Sequence, residues 1–109
     1  MKGLAVSRAA SGLLRALLNR LDNDKHRILL IDLRSTDWQS LTFTGERHKL
    51  TLRVTGDCRY ATAQRLTDNI AEAEFDIPGQ IVADIAARPL VDAEDGSVLV
   101  TIDALTIVE

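Results

Sequence analysis

Apolar residues recur at helical spacing in the first part of the chain, where Leu14, Leu17, Leu18 and Leu21 fall on one stripe. Ser7 or Ser11 offers a side-chain acceptor to the opening turn, and the polar run Asp22-Asn23-Asp24 ends the segment. The spacing predicts an amphipathic helix reaching about Leu21. Strand signals follow at 26–34, 38–44 and 48–54, with Thr44-Gly45-Glu46-Arg47 as the reversal between the last two. A second helix is predicted from a cap at Asp57 through about Glu74, because Ala63, Leu66, Ile70 and Ala73 repeat at helical spacing before Pro78-Gly79. Two more strands, 80–91 and 97–108, flank a turn at 92–96.

The element order is therefore αββαββ, with Leu30-Ile31-Asp32-Leu33 echoed by Val82-Ala83-Asp84-Ile85. An α+β fold follows: a four-stranded, mostly antiparallel sheet with two helices on one face. This is the order a ferredoxin-like arrangement takes when its first strand is moved to the end, a similarity of element order alone. The 109 residues fit one domain, 1–109, of a size that buries roughly 60–70% of its unfolded surface.

Register assigns residues to faces. If Phe43 lies opposite His48, then Leu41 meets Leu50 on the helix side. Trp38 then meets Arg53, and Thr42 meets Lys49, on the other. That second side is a basic platform of Trp38, Arg34, Arg47, Lys49 and Arg53, the expected ligand-binding residues. In the second hairpin, placing Val91 opposite Val98 sends Ile81, Ala83, Ile85, Ala87, Ile102 and Ala104 toward the helices. Val82, Leu90, Leu99, Leu105 and Ile107 are left on the outer face. A one-sided sheet alternates apolar and polar residues, so an apolar outer face calls for a cover. Another copy of the chain is the simplest one, giving a homodimer with those five residues in its interface.

Charge sharpens the picture. Residues 1–65 hold 12 of the 13 Lys and Arg against 6 acids, and residues 66–109 hold only Arg88 against 10 acids. A net charge of −3 thus conceals segments of formal charge +6 and −9, a polarity that attracts an acidic partner, a small anion or another copy. Nucleic acid is disfavoured by an isoelectric point near 5.3 and by a single tryptophan where a single-strand platform uses two or three aromatics.

Catalytic signals are sparse. His26 and His48 form no metal-spaced pair, and Cys58 has no second cysteine, so no metal or cofactor is expected. Cys58 reads as a small packing residue, and Asp68 with Glu72 as a solvated acidic stripe on the second helix. No glycine-rich phosphate loop occurs. The basic N-terminal stretch lacks the unbroken apolar core of a secretory signal, and no stretch spans a bilayer; the expected location is cytoplasmic. The expected role is a small homo-oligomeric interaction or ligand-binding module. Anion or single-strand binding at the first hairpin, or an enzyme with a pocket between subunits, are the alternatives.

Overall fold

The computed structural model describes residues 6–21 and 25–109. Helix α1 spans Arg8–Leu18, and its start is set by Ser7, whose Oγ accepts from the Ala10 N–H at 3.1 Å. The buried stripe is Ala9, Ala10, Leu13 and Leu17, so Leu13 takes the central place expected for Leu14. The stop at 22–24 lies outside the described residues.

Strands β1 (Ile28–Gln39) and β2 (Thr44–Val54) form a hairpin whose loop is residues 40–43, four residues earlier than the turn expected at Gly45. The two apolar patterns decide this. In the observed register Ile28 lies opposite Val54, Leu30 opposite Leu52 and Leu33 opposite Leu50, so apolar residues meet at these three inner pairs. The expected register would have set Asp37 opposite Val54 and Gln39 opposite Leu52, burying unpaired polar groups. Ser40 holds the loop: its Oγ accepts from Phe43 N–H at 3.0 Å, and its own N–H donates to the Phe43 carbonyl at 2.8 Å. Leu41 sits at the tip, fully exposed. Pairing continues without a break through residues 35–37, which join two separately expected strands into one, and the irregularity falls between Leu30 and Asp32.

Helix α2 runs Arg59–Thr67, shorter than expected at both ends. Asn69, in a left-handed conformation at φ 52°, breaks it, and a 3-10 turn at Ile70–Glu72 carries the chain on. Asp68 and Glu72 therefore share no helix face. Cys58 occupies the cap position and is exposed, not packed.

Strand β3 (Gln80–Ala87) and the two-residue β4 (Val91–Asp92) both pair with β5 (Val98–Val108), making five strands where four were expected. Arg88 still donates its N–H to the Thr101 carbonyl, and Pro89, with no N–H, interrupts the edge. The antiparallel sheet has the order β1-β2-β5-β3, with β4 alongside β5. Leu13 and Leu17 of α1 and Ala63 and Leu66 of α2 join one core with Leu50, Leu52, Val54, Val98, Val100 and Ile102. These strand residues alternate with period two and share a face. That inner face is thus covered, while no described element covers the outer one.

Candidate functional site: the outer face of the sheet

Cross-strand partners share a face, so the pairing lays out the outer surface as rows. Written from β1 across β2 and β5 to the β3 edge, the first row is Trp38, Gly45, Ile107, Ile81. The second is Thr36, Arg47, Leu105, Asp84, and the third Arg34, Lys49, Asp103, Ala86. The fourth is Asp32, Thr51, Thr101 and Arg88, and the fifth Leu29, Arg53, Leu99, Val91. Side chains verify the parity: Thr51 and Thr101 hydroxyls lie 3.5 Å apart, and Arg88 grips Asp103 through Nε at 2.8 Å and Nη2 at 3.3 Å.

The sequence-predicted residues divide on this grid. Arg34, Arg47 and Lys49 do come together on β1 and β2. Trp38 and Arg53 do not pair, because the displaced turn sets Trp38 opposite Gly45 and Arg53 opposite Leu29, at opposite ends of the face. Leu99, Leu105 and Ile107 lie on the outer face, but Val82 and Leu90 pack against the core. The expected register holds where Ile85 meets Ala104; a bulge between Val82 and Asp84 and the Pro89 break each shift it by one residue. A one-residue shift inverts faces. It turns Val82 inward and brings Ile81, expected inside, to the surface at 45% exposure.

Apolar rows bound the face and charge fills its middle. Leu29 and Val91 are each 56% exposed at one end. Arg34 Nε stands 3.2 Å from Asp32 Oδ2, and Arg53 Nε a loose 3.9 Å from Asp95, whose carboxylate is held below its ordinary range by two bonds from Ser97. Arg47, Lys49 and Asp84 have no ion-pair partner among the described residues.

A polar chain crosses the inner face, and sequence reasoning missed it. Ser35 Oγ lies 2.8 Å from His48 Nδ1, and His48 Nε2 lies 2.9 Å from Thr106 Oγ1. Glu46 Oε1 is 3.9 Å from Nε2 and accepts from Ser7 Oγ–H at 2.6 Å, which ties the α1 cap to β2. The nearby carboxylate favours the proton on Nε2, leaving Nδ1 to accept from Ser35. The signal was available: Ser35 and His48 interrupt inner positions otherwise held by Leu33 and Leu50. Burial lowers the His48 pKa below its ordinary 6.5, and Glu46 partly offsets this. The folded chain therefore resists a proton that the unfolded chain accepts near 6.5. Stability is complete above that pH and falls as pH drops below it. Urea midpoints measured across this window will decline for the wild type and less for His48→Asn; equal slopes would refute the assignment.

Among the described residues no group of three His, Cys, Asp or Glu is placed to hold a metal ion, and no helix is long and apolar enough to cross a membrane. The chain matches no family model, no curated protein and no solved structure.

Proposed function

We propose that this protein is a small homo-oligomeric interaction module, a permuted ferredoxin-like unit whose outer sheet face is covered by a second copy of itself. The observation that carries this reading is the placement of Trp38, Ile81, Leu99, Ile107, Leu29 and Val91 on the face that no described element covers, where Leu105 alone is already shielded within the chain at 9% exposure. Five rows at about 6.8 Å and four strands at about 4.8 Å give that face roughly 34 by 19 Å, or ~650 Å². A standard interface buries about 800 Å² per partner, so the face is of the right order. Its apolar ends and charged centre also suit a closed two-fold contact better than indiscriminate adhesion.

Sedimentation velocity supplies the test. At micromolar concentration the chain is expected at twice its 12.0 kDa mass, with Trp38 emission shifting to the blue as concentration rises through the transition. Leu99→Asp combined with Ile107→Asp, both on the outer face, should return it to a monomer that keeps its circular dichroism. A wild-type monomer at the highest soluble concentration would overturn the proposal.

A further inference from the structure

The grid also fixes how two copies fit, an inference that rests on the proposed self-association. A two-fold axis that stacks one face on its twin lies in the interface plane. With the strands kept aligned, it runs either along them or across them. The two choices bring different residues together, and charge separates them.

An axis across the strands returns each strand to its own copy and reverses the rows. Lys49 then stacks on the partner's Lys49, Arg34 on the partner's Arg34 and Asp103 on the partner's Asp103. Like charges brought face to face while water is removed are strongly unfavourable. An axis along the strands, between β2 and β5, keeps the rows and exchanges β1 with β3 and β2 with β5. Lys49 then faces the partner's Asp103, and Asp32 faces the partner's Arg88. Trp38 faces the partner's Ile81, Leu29 the partner's Val91, and Ile107 the space above the partner's Gly45.

We infer that the second copy packs outer face on outer face about a two-fold axis parallel to the strands. The Arg34–Asp32 and Arg88–Asp103 pairs already formed within each chain become links in a longer alternation: Arg34, Asp32, the partner's Arg88, the partner's Asp103, Lys49. Aligned sheets pack with a rotation of about 30°, which displaces peripheral rows most. Lys49 and Asp103 occupy the central row of the two central strands, so their apposition is the least disturbed.

Lys49→Asp and Asp103→Lys provide the test, each assayed alone and then mixed in equal amounts by sedimentation velocity. In each single variant the geometry sets like charges at both symmetry-related contacts, and dimer dissociation constants should rise more than about tenfold. In the mixture the two substituted positions face each other with opposite charges at one contact, and the native Lys49–Asp103 pair reforms at the other. Heterodimers should therefore form at near wild-type affinity, resolved by a mass tag on one variant. Asp32→Lys with Arg88→Asp repeats the exchange at the neighbouring pair, should Asp103→Lys fail to fold. Lys49→Asp binding the wild type more tightly than the wild type binds itself would indicate the axis across the strands, where the new carboxylate faces the partner's Lys49, and would overturn this inference. So would a mixture that associates no better than its components. In both cases a dimeric wild type leaves the proposed function standing, whereas a monomeric wild type removes both.

Discussion

Leu52→Ala will cost about 2–5 kcal/mol of stability, whereas Leu41→Ala will change it by less than about 0.5 kcal/mol. The two leucines lie in the same hairpin, and a register with its turn at Gly45 would have placed Leu41 directly against the core beside Leu50. In the structure Leu52 is wholly inaccessible, set between Leu30 and Val100 on the inner face and packed in the cluster that both helices join. Removing three carbons there loses their transfer free energy and leaves a cavity that the rigid sheet cannot close. Leu41 stands at the loop tip at 107% relative exposure, so truncating it removes no packing. Thermal unfolding at one fixed protein concentration reads the contrast: a fall of about 8–20 °C for Leu52→Ala, and almost none for Leu41→Ala. Comparable losses from the two variants would place the turn at Gly45 after all.

Gly45→Ala should be nearly as damaging, at about 3 kcal/mol. A Cβ at this position would collide with the Thr106 carbonyl oxygen and lie 2.9 Å from Ile107 Cα. The obstacle is backbone of the central strand β5, so a methyl group can be admitted only by parting β2 from β5 at that end. Gly12 is the informative control. A Cβ there meets Ile77 Cγ2 at 2.6 Å, but that methyl belongs to a side chain, which yields more readily than the backbone of a central strand. Gly12→Ala should therefore cost less. Urea unfolding orders the two variants, and amide hydrogen exchange at Glu46 and Ile107 localises the damage. An unchanged midpoint for Gly45→Ala would mean that β2 does not approach β5 as described.

The element types were legible in local patterns. Two helices and long antiparallel strands follow from the helical spacing of Leu14, Leu17, Leu18 and Leu21, the strand signal through Leu50, Leu52 and Val54, and a cap at Ser7 or Ser11. These properties belong to single segments of at most 12 residues, where periodicity and turn chemistry act alone. The separation of basic and acidic segments was equally plain, and the structure carries it onto one surface as Arg34, Arg47 and Lys49 on β1 and β2.

Which residues share that surface was decided by tertiary structure. Thr44-Gly45-Glu46-Arg47 has the chemistry of a reversal, yet Gly45 serves as the point of closest approach between β2 and β5. The turn moves to Ser40 because only then do Ile28, Leu30 and Leu33 all fall beneath the helices. One residue bulged between Val82 and Asp84 exchanges Ile81 for Val82 on the outer face, and Pro89 shifts Val91 again. Local sequence determines that a strand has two faces with alternating residues. The choice of face depends on filling the space beneath α1 and α2 without burying an unpaired polar group, an energy that exists only once distant segments are packed together.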